Sequence, residues 1–205
     1  FLPHLACRND LNRLLAWMLS ELRVGHLYIF GGDIPEDGES AKPGVLGADF
    51  AVENGRYRFA RIYGGLNWNP DLRAPLAEPG VDVKEGDYLL RVNGREVQGS
   101  DNVYAFFEQT AERATELVVA EDPEGTKPRT VTVVPVASDR ALRLRSWVEG
   151  NVRKVEAATN GRVGYVYLPN TAGEGQEFFK RYFFAQAPRD GVILDVRSNG
   201  GGQFA

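Results

Sequence analysis

Apolar residues recur at helical spacing near the start of the chain and at strand spacing through most of its middle. In residues 9–23, NDLNRLLAWMLSELR, Leu11, Leu14, Leu15, Met18, Leu19 and Leu22 share one face, which predicts a helix capped by Asn9 or Asp10. VGHLYIFGGD then gives a short β-like piece between glycines, and the polar IPEDGESAKPG of residues 34–44 reads as a loop or linker. Residues 45–137 are strand-rich. GVLGADFAVENGRYRFARIY holds two β-like runs joined at Asn54-Gly55, a hairpin signal. LNWNPDLRAPLAEPG reads as a proline-containing loop, and VKEGDYLLRVNGREVQ as a strand, an Asn93-Gly94 turn and a second short strand. NVYAFFEQTAER is a short amphipathic helix with Val103, Phe106, Phe107 and Thr110 on one side, and ATELVVAEDPEGTKPRTVTVVPV is a strand hairpin.

From residue 138 the pattern changes again. In RALRLRSW, Arg140 to Trp147, arginines alternate with apolar residues, as on a strand or helix with one solvated face. RVGYVYLPN reads as a strand, and GEGQEFFKRYFFAQ as a helix carrying Phe178, Phe179, Tyr182 and Phe183 on its apolar side. DGVILDVRSNGGG comes next as a second strand. Strand, helix and strand in close succession predict a right-handed βαβ crossover with parallel strands. The fold class implied is mixed α+β.

Composition changes this picture little. Over 205 residues the formal net charge is −4 and basic residues are scattered, which argues against a nucleic-acid groove. Cys7 is the one cysteine, so no disulfide forms within the chain, and a reducing compartment is the simplest fit. No apolar run approaches the roughly 18 residues of a membrane span. The first residues, FLPHLACRND, lack the features of a signal peptide and an initiator Met, so a fragment of a longer protein is expected. His4, Cys7 and His26 lack zinc spacing, and Asp33, Asp37 and Asp49 lack a calcium-loop pattern, so no metal and no cofactor are expected.

Two places carry candidate chemistry. His26 comes after the first helix beside Gly25, with GGD shortly beyond, a setting in which a rigid support presents an imidazole to a cleft. Imidazole is the commonest general base for activating a hydroxyl nucleophile. The other place is the triplet Gly200-Gly201-Gly202 after the strand VILDV. Glycines beyond the C-terminal end of a parallel strand lie where open α/β sheets bind ligands, and their amides suit an oxyanion hole. A plain turn remains open, and a phosphate loop is disfavoured because neither G-x-G-x-x-G nor G-x-x-x-x-G-K-[ST] is present. Ser20, Ser40, Ser100, Ser138, Ser146 and Ser198 are the candidate nucleophiles within the chain, and none sits in a G-x-S-x-G elbow.

On wording, GDYLLRVNGREV at 86–97, with Phe106 and Phe107 in the helix after it and TVTVVPV as the last strand, resembles the PDZ family over residues 43–137. The resemblance implies a partly open β-barrel that binds peptides by strand addition. Its implied binding loop and edge are Gly44, Val45, Leu46, Gly47, Ala48, Asp49 and Phe50, whose wording departs from Gly-hydrophobic-Gly-Phe. The order LSELRVGHLYIFGGD, PDZ-like region, VILDVRSNGGG resembles the carboxy-terminal processing proteases, serine peptidase family S41, and within them the tricorn branch.

That resemblance implies three parts: residues 1–42 as an N-terminal piece of a peptidase core, 43–137 as an inserted PDZ-like domain, and 138–205 as an α/β piece of the same core. It implies acyl-enzyme hydrolysis of extended peptides, with His26 as general base and Gly201, together with Gly200, as oxyanion donors. A serine often precedes the catalytic histidine of this branch, and here that position is Gly25. The family's nucleophilic serine and supporting glutamate are not matched, so the chain alone is expected to be inactive. The partners implied are peptide substrates and further copies of the full-length protein, with no nucleic acid and no membrane, in the cytoplasm. The competing expectation is a non-catalytic PDZ-type peptide-binding or assembly module.

Overall fold

Two Asn-Gly pairs set the hairpins that organise the chain. Asn54 and Gly55 adopt φ 52° and 73°, and Asn93 and Gly94 adopt 47° and 77°. Positive φ at both central residues gives the turn whose twist matches a right-handed strand pair, and Asn and Gly tolerate it best. In the computed structural model, which describes residues 1–34 and 43–202, these turns join β1 (Ala48–Glu53) to β2 (Arg56–Ile62) and β3 (Tyr88–Val92) to β4 (Arg95–Glu96). β5 (Thr115–Ala120) and β6 (Arg129–Val133) complete an antiparallel sheet of order β1-β2-β3-β5-β6, with β4 paired to β3.

The sheet is open rather than closed into a barrel. One isolated bridge, Val45 with Val136, joins the chain entering β1 to the chain leaving β6. Phe59, Leu89, Leu117 and Val119 are fully buried on its inner face. The proline-containing loop folds into two 3₁₀ turns, Pro70–Leu72 and Pro75–Ala77, and buries Leu72, Ala74 and Leu76. The amphipathic stretch after β4 forms only a 3₁₀ turn, Val103–Phe107. Gln109 and Glu112 take positive φ beyond it, which an α-helix does not accommodate.

α2 (Arg140–Thr159) resolves the Arg-apolar alternation as a helix. It ends at Asn160, whose left-handed φ of 50° supplies the usual C-terminal stop. Leu142 packs with Tyr63, Leu72 and Ala74, while Val148, further along the same helix, packs with Tyr165 and Tyr167. β7 (Val163–Tyr167) and β8 (Gly191–Asp195) pair in parallel around α3 (Gly173–Phe183), the expected strand–helix–strand unit. Of the predicted apolar side of α3, Phe178 and Tyr182 join this core, whereas Phe179 and Phe183 stack on each other. Gln186 stands in for a further strand: its Oε1 accepts from the Tyr165 amide and its Nε2 donates to the Tyr165 carbonyl. Val192, Ile193 and Leu194 of β8 are about half exposed.

The described residues fall into two compact units, one within Phe1–Ala41 and one within Lys42–Ala205. In the first, α1 (Arg8–Ser20) is capped by Cys7 rather than by Asn9 or Asp10. Asp10 lies in the first turn and accepts from the Ala6 and Cys7 amides, bonds that hold its carboxyl below the usual range. VGHLYIFGGD, expected as a short β-like piece, forms no strand among the described residues. Asn12 instead ties this segment to α1 through the Gly31 carbonyl. Among the described residues no helix is long and apolar enough to cross a membrane.

Candidate functional site

The glycine turn is built at the C-terminal end of the parallel pair. Leu168 continues β7 and donates its amide to the Asp195 carbonyl. Beyond that point two loops are laced together: Gly200 N donates to Pro169 O, Thr171 N to Gly201 O, and Thr171 Oγ1 to Gly202 O. Asn199 bonds both sides, donating from Nδ2 to Leu168 O and accepting the Gly201 amide on Oδ1 at 2.8 Å. Ser198, Gly201 and Gly202 all take positive φ, at 57°, 74° and 132°. The Gly200 amide is therefore committed to backbone and the Gly201 amide to a side chain. The Gly202 amide has no acceptor among the described residues.

A buried carboxylate anchors this turn from below. Asp195 is 7% exposed and accepts from Tyr165 Oη, from Arg197 Nε and Nη2, and from the Arg197 amide. The Arg197 bonds hold its carboxyl well below the ordinary value, outweighing burial, which acts the other way. Burial and the neighbouring carboxylate push Tyr165 up to about 12. Arg197 also lies over the Trp147 ring, which meets Tyr167 edge-on. Nothing in the one-dimensional pattern marks Asp195 or Asn199; only the alternation of a buried strand end with a glycine run points to the place.

His26 lies in the first unit, exposed, in a turn with Gly25. The positive φ, 63°, falls on His26 itself and not on the glycine. Histidine is among the residues that tolerate this region. Its ring meets Tyr28 edge-on at 6.3 Å.

The loop and edge 44–50 form one wall of a cleft of about 160 Å³, lined by Gly44, Val45, Leu46, Ala48 and Phe50, with Tyr104 and Phe107 opposite. Gly44 N donates to Phe107 O and Val45 N to Val136 O, so both amides are engaged. Gly47 takes φ 68° and its carbonyl accepts from Tyr63 N. β1 is an edge strand, paired on one side only, to β2. Residues the sequence reading did not single out complete the mouth: Asp139 and Arg143 from the segment opening α2. Arg143 donates from Nε to Asp139, from Nη1 to Asp49 and to Tyr63 Oη, and from Nη2 to Ala48 O. Burial tends to raise Asp49, but its bonds from Arg143 and Tyr63 prevail and hold it low. Asp139 and Arg143 were illegible in sequence because the partners of Arg143, Asp49 and Tyr63, lie in two distant stretches.

The pattern of the family described as the tricorn protease PDZ domain matches residues 44–138. The chain is 34% identical over 98% of its length to tricorn protease homolog 1 of Streptomyces coelicolor, and covers 19% of that protein. It is 31% identical over 98% of its length to the tricorn protease of Thermoplasma acidophilum, and covers 18% of it. Against the crystal structure of the tricorn protease it superposes with TM-score 0.83 at 30% identity, covering 98% of this chain and 19% of that one. The chain thus spans about a fifth of the length of these relatives.

Proposed function

Because residues 44–138 belong to the tricorn protease PDZ domain family and nearly the whole chain is tricorn-protease-like, we propose that it is part of a serine peptidase of the S41 type that hydrolyses extended peptides. The carrying observation is the likeness to a tricorn protease over 98% of the chain, with the glycine turn at the C-terminal end of a parallel strand pair. His26 takes the proton of a serine hydroxyl supplied from outside these 205 residues. The serine oxygen adds to the peptide carbonyl, the proton passes to the departing amine, and water then releases the acyl group by the same route. The negative charge on the carbonyl oxygen is met by amides of the glycine turn. Gly201 is the donor whose present acceptor, a side-chain oxygen, is exchangeable, and Gly200 fastens the turn to Pro169.

The domain division proposed is 1–42, 43–137 and 138–205. The PDZ-like part takes peptide on the β1 edge, the full-length protein assembles with further copies, and the exposed free thiol of Cys7 fits a reducing cytoplasm. A second reading, a peptide-binding or assembly module without catalysis, is favoured by one observation: the Gly200 and Gly201 amides both have acceptors already.

Intact mass of the full-length protein before and after a fluorophosphonate separates the two readings. The peptidase gains a single adduct, which disappears in His26→Ala and persists in His4→Ala. Labelling undiminished in His26→Ala removes His26 from the mechanism. A protein that never gains an adduct is the binding module.

A further inference from the structure

One side chain decides what the Gly201 amide can do. Asn199 Oδ1 accepts that N–H at 2.8 Å, while Nδ2 of the same carboxamide donates to Leu168 O at 2.9 Å. The two partners fix which end points where. A carbonyl only accepts and an N–H only donates, so a flipped carboxamide would lose both bonds. The Asn199 amide adds a third tie by donating to Val196 O. An asparagine bonded to the N–H two residues on is commonly a local turn device. Here the far end of the side chain crosses to Leu168, 31 residues earlier and directly after β7, so the carboxamide is held from outside the turn.

The Gly201 side of the bond is the adjustable one. Gly201 is exposed, and a methyl group built on it would meet nothing within 4 Å, so an incoming group has room. Gly200, by contrast, is fastened to the backbone oxygen of Pro169. Any carbonyl oxygen that comes to Gly201 competes with Asn199 Oδ1 for one N–H. The neutral carbonyl of a bound peptide is an acceptor of the same kind as Oδ1 and gains little by the exchange. The oxyanion of the tetrahedral state is charged, and hydrogen bonds to a charged acceptor are roughly twice as strong. An occupied amide is therefore passed over by the substrate and taken by the transition state, which is the kind of difference that raises kcat.

We propose that Asn199 is a positioning residue for peptide hydrolysis: its carboxamide holds the Gly201 N–H as a placeholder that only a negatively charged oxygen displaces. This rests on the peptidase reading given above and deepens it, since an amide already bonded in the resting protein is then part of the catalytic design. The need for a carboxamide follows. Asn199→Asp keeps the shape, but its charged oxygen competes with the oxyanion on equal terms and repels it, while its other oxygen faces the Leu168 carbonyl without a proton to donate. Asn199→Ala leaves the Gly201 amide open to water and to substrate alike.

The test uses the full-length protein and the tetrapeptide aminomethylcoumarin amide that it cleaves best from a random set, with kcat and KM measured separately. Asn199→Asp and Asn199→Ala both lose the bond to Leu168, so they share its structural cost, which circular-dichroism melts record. Asn199→Asp is expected to lower kcat about 100-fold, the loss of one oxyanion donor, with KM within about three-fold of wild type. Asn199→Ala is expected to lower KM and kcat together by about three- to ten-fold, the factor for one neutral hydrogen bond now made to bound substrate, leaving kcat/KM within about three-fold. A structural asparagine gives the reverse order: Asn199→Ala, the larger change, then loses at least as much kcat as the near-isosteric Asn199→Asp, and that overturns the proposal. Asn199→Asp with kcat within about three-fold of wild type also overturns it and assigns the oxyanion to another donor, such as the Gly202 amide, which has no acceptor among the described residues. A wild type that cleaves none of the set removes the peptidase reading, and the proposal falls with it. Should Asn199→Asp fail to fold, Asn199→Ala decides: a KM that stays or rises overturns the proposal.

Discussion

Asp195→Asn keeps the size of a buried side chain and removes only its charge, so its cost can be worked from the bonds it alters. Two donors have no way to turn to water, the Tyr165 hydroxyl and the Arg197 amide. A hydrogen bond to a charged acceptor contributes about 1.5–3 kcal/mol and a neutral one about 0.5–1.5, so each loses about 1–1.5 kcal/mol. The Arg197 side chain is mostly exposed and swings into solvent, so little is added for it. The sum is about 2.5 kcal/mol, and at about 2–4 °C per kcal/mol for a chain of this size the melting temperature falls by about 5–10 °C. The acid limb gives a second check. The folded pKa of Asp195 lies below the ordinary 3.8, so the folded state holds this proton less tightly than the unfolded chain. Its contribution is full above that value and is lost as the pH falls below it. The difference between wild type and Asp195→Asn in urea unfolding should therefore be constant from neutral to mildly acidic pH and shrink below about pH 4. A difference under about 0.5 kcal/mol at pH 7, or one that does not shrink in acid, refutes the assignment of Asp195 as the charged anchor of the turn.

Gln186→Leu strips the Tyr165 amide and carbonyl of their partners, and loss of about 2–4 kcal/mol is expected by urea unfolding, from two buried polar groups left unpaired. In Gly175→Ala the new methyl collides with the Asn170 carbonyl oxygen, so the start of α3 must shift; a loss of about 1–3 kcal/mol is expected, with faster hydrogen exchange at the Ala172 and residue-175 amides. Phe59→Ala, at the fully buried centre of the antiparallel sheet, should cost about 3–5 kcal/mol by the same urea assay.

Legibility in the sequence depends on how local each feature's cause is. The two Asn-Gly hairpins, the strands they join and the strand–helix–strand unit depend on residues within a few positions of one another, and each is present. The helix read at NVYAFFEQTAER shortened to a 3₁₀ turn because Val103 and Phe107 are pulled into the sheet's core and the Thr110 hydroxyl closes on the Phe107 carbonyl. LNWNPDLRAPLAEPG reads as surface loop from its prolines, yet Leu72 and Leu76 are buried by contacts remote in sequence. The candidate sites divide in the same way. The glycine turn and the loop 44–50 were found by composition, whereas Asp195, Asn199 and Arg143 act through partners about 30 to 95 residues away and leave no local mark.

That same distance argues that the unit of stability is longer than the segment matched as a PDZ domain. The match ends at 138, before Leu142 and Arg143. Leu142 is 1% exposed and closes a cluster with Tyr63, Leu72 and Ala74, three residues of the sheet domain. Cutting at 138 uncovers all three and releases Asp49 from Arg143. Removing one buried leucine costs about 2–5 kcal/mol, so a fragment spanning 44–138 should be at least about 3 kcal/mol less stable than one spanning 44–160, which retains the helix through its C-terminal stop at Asn160. Urea unfolding of the two fragments side by side measures the difference. Equal midpoints would mean that the domain closes its own core without the helix. The helix would then be a linker, and Leu142 would contribute nothing to the stability of the sheet domain.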